Sequence, residues 1–101
     1  MIYLIAYDLH AEGQDYEAIA HAIENLADSK NDFCRIQKSV WVIWSKLQSA
    51  HAILERLKPV MDSNDFCFVT EVTSNSDHVL GALEESQIRK MKNHWDEIRF
   101  F

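Results

Sequence analysis

Ile2 to Asp8 (IYLIAYD) is a short apolar and aromatic run that gives way to a polar, glycine-containing stretch at Leu9 to Gln14, the pattern of a strand running into a loop. From Tyr16 the apolar positions Tyr16, Ile19, Ala20, Ile23, Leu26 and Ala27 recur at helical spacing. Asp15 stands before them as an N-cap, Glu17 lies near the positive end of the helix dipole, and the helix should end near Ser29. Phe33 to Gln37 and Ser39 to Trp44 are β-branched and aromatic and are separated by little more than Lys38, which predicts either a tight hairpin or one bulged strand. Ser49 then caps a second amphipathic helix with the stripe Ala50, Ile53, Leu54, Leu57, Val60 and Met61, kinked or restarted at Pro59. The polar segment 62–65 ends it, Phe66 to Thr73 alternates like a last strand, and 74–77 breaks that alternation. Leu80, Leu83, Met91, Trp95 and Ile98 recur at helical intervals and predict a C-terminal helix begun or interrupted near Gly81.

The order strand, helix, strand, strand, helix, strand predicts an α+β domain of the ferredoxin-like βαββαβ kind. It implies an antiparallel four-stranded sheet with the first and third strands at its centre and two helices on one face. Residues 1–101 are read as a single domain, with a core over 1–73 and a C-terminal helical extension over 74–101. The central strands are apolar on both alternating sets: Tyr3, Ile5, Tyr7 and Ile2, Leu4, Ala6 in the first, Trp41, Ile43 and Val40, Val42, Trp44 in the third. Leaving one set wet forfeits about 1.5–3 kcal/mol for each large side chain. The second face therefore requires a cover, either a second copy packed as a twofold dimer or the C-terminal helix folded back. The homodimer is the expectation adopted, with Tyr3, Ile5, Tyr7, Trp41 and Ile43 as its interface residues.

Charge changes the picture more than composition does. The chain of 101 residues carries a formal charge of -6. Residues 1 to 33 own all of it, through Asp8, Glu12, Asp15, Glu17, Glu24, Asp28 and Asp32 against Lys30 alone. Such a surface repels a phosphate backbone unless a metal or a local basic strip intervenes. No apolar stretch approaches the roughly 20 residues of a membrane span, and Met1 leads directly into Ile2 without the basic start of a secretory signal, so a cytoplasmic protein is expected. Cys34 and Cys67 lie in strand-like runs where buried thiols are common, and no bridge between them is expected. There is no Gly-rich phosphate loop, Ser-His-Asp signature or cysteine pair at zinc spacing.

Two pieces of the chain, Tyr3 to Leu9 (YLIAYDL) and Arg35 to Val42 (RIQKSVWV), resemble the CRISPR-associated protein 2 family and the related VapD toxin-like and SinR-annotated small proteins. Leu57 to Val72 is similar to the SinR-annotated branch in particular. The resemblance implies a ferredoxin-like dimer in which the strand-end aspartates of two subunits face each other. It further implies a Mg²⁺- or Mn²⁺-dependent endonuclease, acting on RNA or DNA, in some members and a nucleic-acid-clasping scaffold in others. The toxin-like relatives add a toxin–antitoxin setting. On this reading Asp8 is the metal ligand and catalytic residue, and a hard carboxylate at a sheet's end suits either cation. The plainer role for Asp8 is a turn residue bonding its own loop.

His10 is a second ligand or proton shuttle on one reading and an exposed loop histidine on the other. Arg35, Gln37 and Ser39 are the nucleic-acid contact candidates, through guanidinium, amide and hydroxyl. Equally, Ser39 serves the turn and Arg35 pairs with an acid of the first helix. Trp41, Trp44 and Trp95 are read as core or interface rather than base-stacking platforms. Arg89, Lys90 and Lys92 form the best phosphate-binding strip, flanked by acids as a solvated helix face is. The sequence departs from the family where many members carry arginines, since residues 12–28 hold five acids and no Lys or Arg. The competing function is a non-catalytic acidic module that binds a protein partner.

Overall fold

The computed structural model describes residues 1–10, 16–72, 78–79, 85–86, 89, 91 and 99–100. Strand β1 (Ile2–Asp8) leads to helix α1 (Tyr16–Leu26), strands β2 (Phe33–Gln37) and β3 (Val40–Trp44), helix α2 (Ala50–Leu57) and strand β4 (Phe66–Glu71). The sheet is antiparallel with strand order β2-β3-β1-β4, so the first and third strands are central. This is the α+β, ferredoxin-like arrangement that the pattern predicts.

Local chemistry accounts for the element ends. Ser49 adopts extended backbone and its Oγ accepts the Ala52 N–H, which satisfies one of the otherwise unpaired amides opening α2. Pro59 lies in a single 3-10 turn, Lys58–Val60, directly after α2, so the helix tightens and stops instead of kinking. α1 ends at Leu26, three residues before the predicted stop, because the Asp28 N–H is taken by the Trp44 carbonyl at 3.0 Å. β2 and β3 form the tight hairpin, with the turn at Lys38 and Ser39 and an irregularity in register between Arg35 and Gln37. The predicted N-cap Asp15 lies outside the described residues.

One face of the sheet carries Tyr3, Ile5, Tyr7, Trp41 and Ile43, all buried beneath Ile19, Ala20 and Ile23 of α1 and Ile53 and Leu57 of α2. This corrects the expected interface. Those five residues belong to the chain's own core, because the helices' apolar stripes fall on that set, and they are not open to a second copy. The other face is the alternate set, where Cys34, Val42 and Trp44 pack with Met91 and with the partly buried Ile2, Ile36 and Val72.

Met91 belongs to the C-terminal segment, in which Glu85, Ser86, Arg89 and Met91 are helical. Met91 therefore covers part of the second face. It leaves Phe66 and Phe68 of β4 at 63% and 51% exposure, so the tail and an open patch share that face. Arg89 pairs with Glu85 at 3.4 Å as on a solvated helix face, while Lys90, Lys92 and Trp95 lie outside the described residues. A further short parallel pair joins His78–Val79 to Arg99–Phe100, which the sequence pattern does not predict. Among the described residues no helix is long and apolar enough to cross a membrane.

Candidate functional site at the carboxyl end of the first strand

Asp8 is the last residue of β1 and is exposed. Side chains alternate along a strand, so the burial of Tyr7 on the helix side sends Asp8 to the opposite face, with Ala6 and Leu4. Its register partner across the sheet is Phe66, and that of Ala6 is Phe68. Directly paired residues share a face, which places the Asp8 carboxylate at the rim of the uncovered aromatic patch. No hydrogen bond or ion pair to that carboxylate is found among the described residues.

The backbone on either side of Asp8 is held. Tyr7 donates its N–H to the Ser39 carbonyl at 3.1 Å and its hydroxyl to the Lys38 carbonyl at 3.1 Å. The buried Trp41 Nε1–H donates to the Tyr7 oxygen at 3.1 Å. Arg35 closes the group, donating Nε–H and Nη2–H to the same Lys38 carbonyl at 3.0 and 2.8 Å. Its guanidinium also lies 5.1 Å from the Trp41 ring centroid and 3.5 Å from Glu17. Lys38 Nζ sits 4.4 Å from the Tyr16 ring. The RIQKSVW segment is thus a clamp between hairpin, α1 and the end of β1.

This placement sorts the nucleic-acid contact candidates. The Arg35 guanidinium is engaged within the chain, including the pairing with an acid of the first helix. Ser39 stands in the turn, and its carbonyl accepts the Tyr7 N–H of β1. Gln37 is exposed at the bulge. Trp41 and Trp44 are buried on opposite faces and offer no stacking platform.

On the other side of Asp8, Leu9 is buried in the core and the His10 N–H donates to Asp65 Oδ1 at 2.8 Å. The sequence reading missed Asp65 because its partner lies 55 positions away. It missed the Tyr7–Lys38 link because a backbone carbonyl carries no sequence signal. The polar run before Phe66 was the only hint of Asp65, since Asp in such a run commonly bonds backbone amides.

Beside Asp65 a groove of about 510 Å³ runs between α2 and β4, lined by Leu54, Lys58, Met61 and Cys67 among others. Lys58 Nζ lies 2.8 Å from Glu55 and, by that hydrogen bond and its charge, holds the Glu55 carboxyl below its ordinary range. Burial pushes the Cys67 thiol from 9.0 up to about 11. At pH 8 that leaves far less thiolate than an unperturbed cysteine has, partly offset by the greater nucleophilicity of a more basic thiolate, so iodoacetamide should label Cys67 in the folded protein about tenfold more slowly than a free cysteine peptide. Equal rates would show that the thiol is not held in its burial site. The unfolded chain releases this proton near pH 9 while the folded chain keeps it to about 11, so this thiol should lower stability as pH rises through that window and have no effect below it. Cys34 lies on the opposite face from Cys67, and both are free thiols.

Among the described residues no group of three His, Cys, Asp or Glu side chains comes together to hold a metal ion. His21 and His51 contact Glu24 and Glu55 on exposed helix faces, at 3.6 and 3.7 Å, as ordinary neighbours one turn apart. At the end of β1 the described residues place the exposed carboxylate of Asp8, a hard oxygen ligand of the kind that suits a divalent cation, with no cluster of further ligands around it.

Neither a search of curated proteins nor a search of solved structures found a match. A family model described as CRISPR associated protein Cas2 matches residues 1–79, a span that takes in the whole four-stranded sheet, the strand-end aspartate and the hairpin clamp. With that match covering most of its length, the chain belongs to the CRISPR-associated Cas2 family.

Proposed function

We propose that the chain works as a homodimer that closes its open aromatic patch, with Asp8 of both copies brought together as the metal-binding and catalytic residues of an endonuclease acting on RNA or DNA. The observation that carries this reading is the register of Asp8 with Phe66 on the uncovered face. A twofold packing whose axis passes beside Phe66 buries the patch and also draws the two carboxylates toward each other. Mg²⁺ or Mn²⁺ suits such a pair of hard oxygens, and when bound it supplies charge stabilisation at the phosphate and a more acidic water. The chain's own contribution is to fix Asp8 on a strand end pinned by the Tyr7 and His10 backbone contacts. Gln37 and Lys38 are exposed polar side chains at the hairpin tip and are available to contact a nucleic-acid strand.

Incubating RNA and DNA substrates with Mg²⁺ or Mn²⁺ tests the reading. Asp8→Asn should cut the metal-dependent rate by about 100-fold or more, the size of effect expected when several kcal/mol of charge stabilisation are lost. Equal rates in wild type and variant would remove it.

A second reading, a non-catalytic module that binds a basic protein surface, is favoured by one feature. Glu17, Asp28 and the other acids of the first 33 residues leave that part of the chain strongly negative, and Glu17 further offsets Arg35 at the hairpin. Complexes of that kind should dissociate steeply as salt rises, whereas the nuclease reading requires phosphate contact despite the charge.

A further inference from the structure

The Asp65 carboxylate joins two loops that are remote in sequence. Its Oδ1 accepts the His10 N–H at 2.8 Å and its Oδ2 accepts the Asp62 N–H at 2.8 Å, so both oxygens are engaged by backbone amides. A backbone bond from the Asp65 N–H to the Asp62 carbonyl, 3.1 Å, closes the same turn. Charge-assisted bonds of this length are the stronger kind. The turn is in turn anchored through α2, whose Ile53 and Leu57 are fully buried.

Leu9, between Asp8 and His10, is itself buried. Asp8 thus stands between two pins. One is the Tyr7 attachment to Ser39 and Lys38, the other the Asp65 attachment to His10. A ligand on backbone held from both sides gives up little freedom when it takes a cation, and groups that orient metal ligands typically govern affinity by 10–100-fold.

We infer that Asp65 is a positioning residue for Asp8, holding the backbone just after β1 through the His10 amide so that the Asp8 carboxylate is presented at a fixed place on the rim of the aromatic patch. The inference rests on the proposed role of Asp8 as a metal ligand. Asp65→Asn keeps the size of the side chain but leaves one acceptor oxygen where two amides need one each.

In the full-length protein, Mn²⁺ affinity read from water-proton relaxation should fall about tenfold in Asp65→Asn, and the His10 or Asp62 amide should exchange with solvent about tenfold faster. The dimer mass should be unchanged. Asp65→Glu, which retains both acceptor oxygens, should recover part of the affinity and keeps the test open if the amide variant folds poorly. Wild-type Mn²⁺ affinity in Asp65→Asn, with an amide released, would overturn the positioning role. Asp8→Asn separates the two failures: if it binds Mn²⁺ like wild type, the Asp8 reading itself is lost. If Asp8→Asn loses Mn²⁺ while Asp65→Asn does not, only the role of Asp65 is lost.

Discussion

Truncating Trp41 to alanine is expected to lower the stability of the fold by about 3–5 kcal/mol, the usual cost of removing a large aromatic from a packed core. Trp41 is 1% exposed, pairs with Ile5 of the central β1 on one side and Arg35 of the edge strand β2 on the other, and packs 5.8 Å from the Phe33 ring. Its loss would also withdraw the Nε1–H from the Tyr7 oxygen and the ring from beneath the Arg35 guanidinium. Against a total of about 5–15 kcal/mol for a domain of this size, such a loss removes a large share of the folding free energy. Trp41→Phe separates the two contributions. It keeps most of the buried area and removes the hydrogen bond, so it should cost about 1–2 kcal/mol beyond any repacking. Urea unfolding followed by circular dichroism reads both values. A Trp41→Ala midpoint close to wild type would mean that the hairpin clamp is not part of the stabilising core.

Self-association should be abolished in practice by replacing Phe66 and Phe68 together with aspartate. A phenyl ring is worth about 1.5–3 kcal/mol when fully buried, and roughly half of that is still to be gained on association at these exposures. The two copies together lose four such rings, which weakens a dimer by about 10²- to 10⁴-fold before charge repulsion across the twofold axis adds to it. Both positions are more than half exposed in the single chain, so the fold itself should survive with a change within about 1 kcal/mol. Sedimentation velocity across a range of concentrations supplies the measurement. A wild-type protein that stays monomeric throughout would show that the patch serves something other than a second copy. A dimer that persists in the double variant would place the interface elsewhere, for instance on the outer edge of β2.

The catalytic and structural claims then part cleanly. Asp8→Asn removes a charge from the rim of the patch and should leave dimer mass intact, whereas the phenylalanine variants should lose both assembly and any activity that needs two aspartates. That difference in pattern ties the site to the interface more firmly than either variant alone.

Much of the site was legible along the chain, and the part that was not has a physical explanation. Asp8 at a strand end and a hairpin or bulge around Lys38 follow from short-range text, while the pairing of Arg35 with an acid of the first helix is one of two roles the sequence leaves open for it. The attachment of Tyr7 to the Lys38 carbonyl and of His10 to Asp65 does not, since each joins residues 31 or 55 positions apart and uses backbone atoms that every sequence possesses. The extra parallel pair between His78–Val79 and Arg99–Phe100 escaped for the same reason. Two residues are too few to show a period.

By itself the sequence determined the kinds of element, their order and the sheet they build, because hydrophobic period is a local property and crossover handedness prunes the remaining arrangements. Only the tertiary structure decided which of two equally apolar sets on β1 and β3 lies under the helices. When both alternating sets are apolar the pattern no longer marks inside from outside. The choice falls to where the stripes of α1 and α2 land, on Tyr3, Ile5, Tyr7, Trp41 and Ile43. The same packing laid Met91 over part of the opposite face and left Phe66 and Phe68 bare beside Asp8, which is the arrangement that gives the strand-end carboxylate its setting.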